Sequence, residues 1–154
     1  PNSLFENHGG GLFKEVSPAA GPGLAIERVS RGASFADYDD DGDIDVFVLN
    51  LNDPPTLLRN DGKSGHHFLS VRTVGSRSNR DGIGARLKLT AGGQPQYAEV
   101  QSGGSYLSHN DMRAHFGLGQ ADRVDELEIR WPSGQIQILR DIAVDQVLTV
   151  HEPD

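Results

Sequence analysis

Six aspartates lie within nine residues in the first half of the chain, in the segment Asp37-Tyr-Asp-Asp-Asp-Gly-Asp-Ile-Asp45. Asp37, Asp39 and Asp41 occupy alternate positions, a spacing that brings three carboxylates round to one centre. Gly42 follows at once and permits the sharp turn that directs a backbone carbonyl inward. These residue types at this spacing are typical of a cation-binding loop.

Two further groups complete the predicted site: Asp43 would offer the inward carbonyl, and Asp45 the next carboxylate. Hard oxygen ligands in this number suit Ca²⁺ better than Mg²⁺, which prefers few carboxylates and retains its waters. Without an ion, each pair of like charges at ~4 Å costs on the order of 1–4 kcal/mol. The sequence predicts Ca²⁺ held by Asp37, Asp39, Asp41, Asp43 and Asp45, with a solvated acidic loop as the alternative.

The flanks of this loop differ from those of an EF-hand. The twelfth position counted from Asp37, where an EF-hand carries a bidentate Glu, is Val48. The segment that follows the loop, Asp45-Val-Phe-Val-Leu-Asn50, is apolar on both pleat faces, which predicts a buried central strand rather than a helix.

Short strand-like runs dominate the rest of the chain. Leu127, Ile129 and Trp131 alternate with charged residues, which predicts a strand with an apolar face and Trp131 in the core. Trp131-Pro-Ser-Gly134 then predicts a hairpin with a connection of four or five residues. Since no stretch longer than about two turns has a helical period, the predicted fold class is all-β. Other predicted strands begin near Phe68, Leu87 and Val147.

Composition excludes several classes of protein. The chain has 154 residues, with 19 Gly, 8 Pro and 36% hydrophobic residues, which argues against a helical bundle, a coiled coil and collagen. No apolar run reaches the length of a membrane span. The absence of cysteine excludes disulfides, zinc–thiolate sites and a thiol nucleophile.

The net charge of −8 is concentrated in the aspartate segment, because the remaining 16 acids nearly balance the 14 Lys and Arg. The basic residues are scattered singly, so the basic footprint of a nucleic-acid-binding protein is absent. The chain begins at Pro1 with neither a charged nor an apolar leader, so an export signal or upstream domain is expected to lie outside this sequence.

Two halves are expected, residues 1–64 with the acidic loop and residues 65–154 with the spaced strands. Lys63-Ser-Gly65 is the predicted join. A segment of this size is marginal alone, and its apolar residues, including Phe35, Phe47 and Leu49, need cover from the C-terminal sheet or from a second copy of the chain. The halves are therefore expected to fold as one unit, as a monomer or a dimer.

The segment from Phe35 to Asn50 resembles the calcium loop of FG-GAP (VCBS-type) repeats, the blades of integrin-like β-propellers. Asn2-Ser-Leu-Phe-Glu-Asn7, Gly11-Leu-Phe13 and Leu57-Leu-Arg-Asn-Asp-Gly62 match the same repeat. The resemblance implies that the carboxylates of Asp37, Asp39, Asp41 and Asp45 hold the ion together with the carbonyl of Asp43. The family usually carries several repeats, and one is seen here.

The remainder resembles the ASPIC/UnbV domain. The residues that carry the resemblance are Ser78-Asn-Arg-Asp-Gly-Ile-Gly-Ala85, Gly103-Gly-Ser-Tyr-Leu-Ser108, His115-Phe-Gly-Leu-Gly119 and Arg130-Trp-Pro-Ser-Gly134. The order of the two parts resembles the C-terminal part of secreted proteins of the cartilage acidic protein type. The resemblance implies a propeller-blade-like calcium-loop sheet packed with a β-sandwich or barrel-like domain, in a secreted, extracellular or periplasmic protein.

A weaker constellation lies further along the chain. On a strand, His109 and Asp111 would share one face, which would suit a metal or acid–base role together with Arg113 and His115. The competing interpretation is that His115 packs beside Phe116 and that His109 is solvated.

The remaining candidate residues give weaker indications of function. His66 and His67 would point to opposite faces of a strand and would not chelate one ion. Tyr38 and Tyr106 are candidates for stacking on a sugar, although lone aromatic side chains more often pack. The glycine pairs lack the strand–turn–helix context of a phosphate loop and predict turns or bulges.

These features favour a non-enzymatic, calcium-stabilised module that binds a protein or glycan surface. The family resemblance implies that the module is extracellular, a setting in which Ca²⁺ is millimolar and loops of modest affinity are occupied. One alternative is a Ca²⁺-dependent hydrolase of a phosphoester or glycan, with the His109, Asp111, Arg113 and His115 group as acid–base or anion-holding residues. Another is a purely structural role as the C-terminal closing piece of a larger propeller protein.

Overall fold

The computed structural model describes residues 1–62 and 65–154, so Lys63 and Ser64 of the predicted join lie outside the described residues. Every long element in the described part is a β-strand, and the predicted all-β class is confirmed. Two short 3-10 helices, Ser17–Ala19 and Pro22–Ala25, lie between the second and third strands.

The part of the chain before residue 63 forms the strands β1 (Phe5–Asn7), β2 (Phe13–Glu15), β3 (Ser30–Ala36), β4 (Asp45–Asn50) and β5 (Thr56–Leu58). They make two small antiparallel sheets, β1–β2 and β3-β4-β5. Residues 37–44 connect β3 to β4, so the acidic loop closes a hairpin whose last strand pair joins Ala36 to Asp45.

Strand β4 is central in its sheet, as expected, but the prediction that it is buried is wrong. Val48 is 4% exposed, whereas Phe47 and Leu49 are 42% and 38% exposed. Phe47 pairs across the sheet with Leu57, which is also exposed, and residues opposite one another share a face. One face of this sheet is therefore left uncovered by the rest of the described chain, and these apolar side chains are exposed to solvent.

The part of the chain after residue 64 forms a two-sheet sandwich. Its strands are β6 (His67–Val74), β7 (Arg86–Ala91), β8 (Gln94–Glu99), β9 (Ala114–Gly119), β10 (Arg123–Arg130), β11 (Ile136–Ala143) and β12 (Gln146–His151). One sheet has the strand order β11-β10-β7-β8 and the other β12-β6-β9, with β12 parallel to β6 and the remaining pairs antiparallel.

The core lies between these two sheets. Leu87 and Leu89 of β7 face Leu69 and Val71 of β6 and Phe116 of β9 within one buried cluster. Alternate residues of β7 point away from this cluster and are exposed or half-buried, as expected for strands with one face inward. Since apolar burial is the main favourable term in folding, most of the stability resides in this sandwich.

Trp131 belongs to that core, and its predicted position is confirmed. It is 3% exposed, and its indole nitrogen donates to Gln137 Oε1 at 3.0 Å. Residues 131–135 form the connection of the β10–β11 hairpin, closed by the hydrogen bond from the Trp131 amide to the Gln135 carbonyl. This five-residue connection also agrees with the sequence prediction.

The C-terminal end of the sandwich is fastened by Glu152. Its side chain is buried, with the residue 3% exposed. One carboxylate oxygen accepts the backbone N–H groups of Ser76, Arg77 and Ser78 at 3.0, 2.9 and 2.7 Å, and the other accepts the hydroxyls of Ser78 and Ser133. Glu152 therefore ties the segment after β12 to the loop after β6 and to the β10–β11 turn.

The ionised form of Glu152 is strongly favoured. Burial alone would raise its pKa, but the hydrogen bonds from Ser133, Ser78 and Arg77 outweigh burial and lower the pKa from 4.5 to about 2. Because the folded pKa lies below the unfolded value, the stabilisation is complete above the unfolded pKa. It is lost as the pH falls towards the folded pKa.

We predict that Glu152→Gln lowers the Tm at pH 7, because the amide leaves part of this donor set without a charged acceptor. The difference from wild type should narrow as the pH falls from 4.5 towards 2, where the native carboxyl also becomes protonated. Thermal melts by circular dichroism across this range measure the effect. Glu99→Gln, at a more exposed carboxylate paired with Arg86, is the control and should change the Tm little at any pH.

Candidate metal centre

Three carboxylates of the acidic loop converge. Oxygens of Asp37, Asp39 and Asp45 all lie within 4.8 Å of one another. Ca²⁺ holds oxygen ligands at about 2.3–2.6 Å, so ligands on opposite sides of the ion lie about 5 Å apart. The spacing and the all-oxygen donor set therefore fit a single hard cation such as Ca²⁺.

Asp37 and Asp45 are buried at 2% exposure each, and both also hold the loop backbone. The two oxygens of Asp37 accept the N–H groups of Asp41 and Gly42 at 3.1 and 3.0 Å. The Asp45 oxygens accept the N–H groups of Tyr38 and Asn60 at 3.1 and 2.8 Å. These two carboxylates are thus fixed in place by the chain around them.

The other two predicted ligands lie outside the group of three. The Asp41 carboxylate accepts the N–H of Asp43 at 2.9 Å, a local turn that aspartate commonly forms. Asp41 and Asp43 line an open acidic cleft beside the loop, together with Asp61 and Phe68. The assignment of the Asp41 carboxylate and the Asp43 carbonyl as metal ligands stays a prediction.

Burial and the crowding of negative charge raise the pKa values of two aspartates in the loop. Partial burial, and then the neighbouring carboxylates of Asp41 and Asp45, raise the pKa of Asp39 above its ordinary value. Burial, followed by the charges of Asp41 and Asp37, raises the pKa of Asp43. Both shifts disfavour the charged form, so a bound cation would relieve a cost that the ion-free loop carries.

Two arginines partly compensate this charge. Arg59 lies 3.9 Å from the Asp39 carboxylate and 2.6 Å from that of Asp61. Arg113 reaches the loop from the other half of the chain, donating to the Asp40 carboxylate at 2.5 Å and to the Asp37 carbonyl at 2.6 Å.

The C-terminal half also contacts this hairpin through backbone groups and through a ring. The Asp111 amide donates to the Phe35 carbonyl at 3.0 Å, and the Phe35 amide donates to Asn110 Oδ1 at 3.1 Å. A Cβ built on Gly42 would lie 2.3 Å from the Phe68 ring, so only glycine permits this approach. Gly42 has φ +96°, the left-handed region that also favours glycine.

His115 packs against Phe68, the residue that approaches Gly42. Its ring stacks on Phe68 with centroids 5.8 Å apart. Burial lowers its pKa, and this effect outweighs the opposing charge of Asp37. The Nδ1 atom is buried without a hydrogen-bond partner in the described part of the chain. His115 therefore packs behind the loop as a neutral ring, as the packing interpretation of the sequence expected.

The other constellation residues do not form a metal group with His115. Residues 109–113 precede β9 and are not a strand, so the alternate-face argument for His109 and Asp111 is wrong. The Asp111 carboxylate pairs with Arg113, and the His109 ring contacts the Asn110 carbonyl.

His67, Tyr38 and Tyr106, which the sequence also singled out, belong to three different segments of the chain. His67 Nδ1 lies 2.7 Å from the Asp145 carboxylate, so this ring has its own partner. Tyr38 and Tyr106 are 54% and 66% exposed. Tyr38 stands in the acidic loop, and Tyr106 lies in a turn whose backbone passes close to Gly32 of β3.

Sequence reasoning missed two groups that shape the site. Asn60 supplies the amide that fixes Asp45, and its side chain accepts the Gly62 N–H at 3.1 Å; the Asn60-Asp-Gly62 turn sequence was the available signal. Asp40, which pairs with Arg113, carries φ +58°. No local pattern would have revealed its partner, because the two residues lie 73 positions apart.

Comparison with known proteins gives a family match and several relatives. Residues 75–154 match the family described as ASPIC and UnbV. Cartilage acidic protein 1 of Mus musculus and of Homo sapiens are each 28% identical over 98% of this chain. The protein of that name from Xenopus tropicalis is 30% identical over 86%. The chain spans 22–24% of the length of these relatives.

Within the described residues, no helix has the length and apolarity needed to cross a membrane.

We predict that Gly42→Ala destabilises the protein more than Gly93→Ala does. Both glycines have positive φ, which costs an alanine about 1–2 kcal/mol. Only Gly42 faces a neighbour, the Phe68 ring, and such overpacking adds ~1–3 kcal/mol. Urea denaturation measures both free energies of unfolding, and equal losses would contradict the close approach of the two halves.

Proposed function

Because the chain belongs to the ASPIC and UnbV family, we propose that it is a calcium-binding, non-enzymatic extracellular β module that contacts a protein or glycan surface. In this proposal, residues 1–64 are an FG-GAP or VCBS-type calcium repeat and residues 65–154 are the ASPIC/UnbV β domain. The observation that carries the proposal is the convergence of the Asp37, Asp39 and Asp45 oxygens.

The structure around these oxygens supports Ca²⁺ as the ion. Asp37 and Asp45 are fixed by backbone donors, while Asp39 is exposed. The ion would therefore complete a largely formed site, in which the loop residues contribute binding and orientation. Ca²⁺ would supply charge neutralisation and a fixed point at which the hairpin turns, and extracellular calcium modules have Kd values of about 10⁻⁴–10⁻³ M.

The proposed extracellular setting rests on the relatives. They are named for cartilage and for acidic character, and this chain has a net charge of −8. In a compartment with millimolar Ca²⁺, a site of modest affinity would be occupied. The ligand-contact role is supported by the exposed rings of Tyr38 and Tyr106, since aromatic side chains are enriched where proteins contact partners and sugars.

The hydrolase alternative has less support. Its candidate groups are His109, Asp111, Arg113 and His115. Asp111 and Arg113 line an open cleft, but they pair with each other, and Arg113 also donates to the Asp40 carboxylate and to the Asp37 carbonyl. The exposed His109 ring contacts the Asn110 carbonyl. His115 is stacked on Phe68 and is absent from the lining of the open acidic cleft. An acid–base group with its own opening to solvent beside the ion would be needed to favour this activity.

We predict that Ca²⁺ raises the Tm and that chelation lowers it. At 100 times the Kd, binding contributes about 2.7 kcal/mol, which corresponds to roughly 5–10 °C for a domain of this size. Calorimetry with Ca²⁺ and with EGTA measures the effect. A Tm that is the same in both conditions would overturn the calcium proposal.

The matched test at the site uses Asp39→Asn, because Asp39 is a candidate ligand whose one ion pair within the described part of the chain is the 3.9 Å contact with Arg59. The variant should keep the Tm of the calcium-free protein and lose most of the rise on adding Ca²⁺. Asp53→Asn removes one charge from outside the loop, beside Arg28, and is the control that should respond to Ca²⁺ like wild type.

One observation favours the structural alternative, a closing piece of a larger propeller protein. Phe47, Leu49 and Leu57 form one exposed apolar face of the β3-β4-β5 sheet. An uncovered face of this kind is uncommon on a protein that acts alone, and a neighbouring blade would cover it.

We predict that this face mediates self-association of the isolated chain. The double variant Phe47→Ser, Leu57→Ser should reduce association in sedimentation velocity while changing stability by less than about 1 kcal/mol. Val48→Ser, on the buried opposite pleat, should instead cost about 2 kcal/mol or more. Identical sedimentation of the double variant and wild type at every concentration would contradict a role for the exposed face.

A further inference from the structure

Arg113 stands in the C-terminal half, yet its guanidinium is directed into the acidic loop. One terminal nitrogen donates to Asp40 at 2.5 Å, the other donates to the Asp37 carbonyl at 2.6 Å, and Nε donates to the Asp111 carboxylate. The side chain is 20% exposed. All three guanidinium nitrogens therefore donate, each to a different residue. Among the side chains, only arginine has this planar set of donors.

Two of these contacts fix the loop backbone at positions that matter for the proposed metal site. Asp37 is held at its carboxylate by the amides of Asp41 and Gly42, and at its carbonyl by Arg113. Asp40 lies in the left-handed region with φ +58°, a conformation that costs a non-glycine residue free energy. The ion pair with Arg113 offsets that cost.

The arginine is itself anchored to the hairpin. Asp111, its third partner, also accepts the Arg113 backbone N–H at 3.0 Å and donates its own N–H to the Phe35 carbonyl of β3. The contacts form a closed circuit from β3 through Asp111 and Arg113 back to the loop that β3 enters. The guanidinium therefore has a fixed position relative to Asp37.

From this circuit we infer that Arg113 is a positioning residue that holds the loop ready for its cation and couples ion binding to the C-terminal sandwich. The inference rests on the proposed calcium function and names the residue outside the repeat that the site requires. The converging carboxylates of the site all come from the first half of the chain. According to this inference, the C-terminal half contributes the arginine that orients the loop.

Two effects of Arg113 on the ion oppose one another. Its positive charge repels a cation, whereas its hydrogen bonds pre-arrange the loop. The charge is balanced by the carboxylates of Asp40 and Asp111, both outside the converging group of three, and this reduces the repulsion that the ion would meet. Pre-arrangement therefore dominates, and removal of Arg113 weakens ion binding rather than strengthening it.

The test measures Ca²⁺ affinity by isothermal titration calorimetry for wild type, Arg113→Met and Arg113→Lys. Outer partners of metal ligands typically change affinity by about 10- to 100-fold, and we expect a weakening in this range for Arg113→Met. Lysine keeps the charge without the fork, so Arg113→Lys should recover only a small part of the loss. Arg130→Met removes an equal charge from an exposed pair with Glu128 and should bind like wild type.

A second measurement needs no calcium. Hydrogen exchange of the Asp41 and Gly42 amides, which donate to Asp37, should accelerate in the calcium-free Arg113→Met protein and stay unchanged in Arg130→Met. Exchange in the sandwich strand β12, in which neither substitution lies, should be alike in all variants, and this separates a displaced loop from a loss of fold.

The outcomes divide cleanly. Wild type that takes up no Ca²⁺ overturns the calcium function and the inference with it. Wild type that binds Ca²⁺ while Arg113→Met binds equally well or more tightly overturns the inference alone, since charge repulsion would then outweigh position. Weaker binding in Arg113→Met with faster exchange at Asp41 and Gly42, and little recovery in Arg113→Lys, supports it.

Discussion

Six carboxylates confined to nine residues repel one another, and the first half of the chain is arranged to offset that repulsion. Backbone N–H groups are turned towards Asp37 and Asp45, and the guanidinium groups of Arg59 and Arg113 face the outer carboxylates. Hydrogen bonds to a charged acceptor are stronger than neutral ones, so these donors favour the tight loop in spite of the repulsion. Burial, and after it the neighbouring carboxylates, raise the pKa values of Asp39 and Asp43, so part of the cost of the crowded charge remains.

This compensation draws on both halves of the chain. The Phe68 ring lies close to Gly42. Asn110 and Asp111 form hydrogen bonds with Phe35 of β3, and Arg113 donates to the Asp37 carbonyl. A hairpin of two short strands and a charged turn would be marginal alone. The contacts with the sandwich support this hairpin. The geometry of the acidic loop therefore depends on the whole chain and not only on residues 37–45.

Local patterns predicted the features that depend on neighbours in sequence. The alternation around Leu127 and Trp131 indicated a strand with its tryptophan inward, and the aspartate spacing with Gly42 indicated a turning acidic loop. What the patterns missed depends on distant partners. Arg113 meets Asp37 across 76 residues, and Glu152 meets Ser78 across 74. The exposure of Phe47 also escaped prediction, because an apolar strand does not reveal whether a second layer will cover it.

The distribution of the core explains why the loop and an ion would matter to one half more than to the other. Among the described residues, Val48 is the only buried apolar residue before position 63, while the remaining buried apolar residues lie in the sandwich. The first half is therefore held chiefly by hydrogen bonds, ion pairs and its contacts with the second half. Segments with few buried apolar contacts open more readily than the core. A cation that links Asp37, Asp39 and Asp45 would act on this less stable half, where a few kilocalories per mole decide whether the hairpin is ordered.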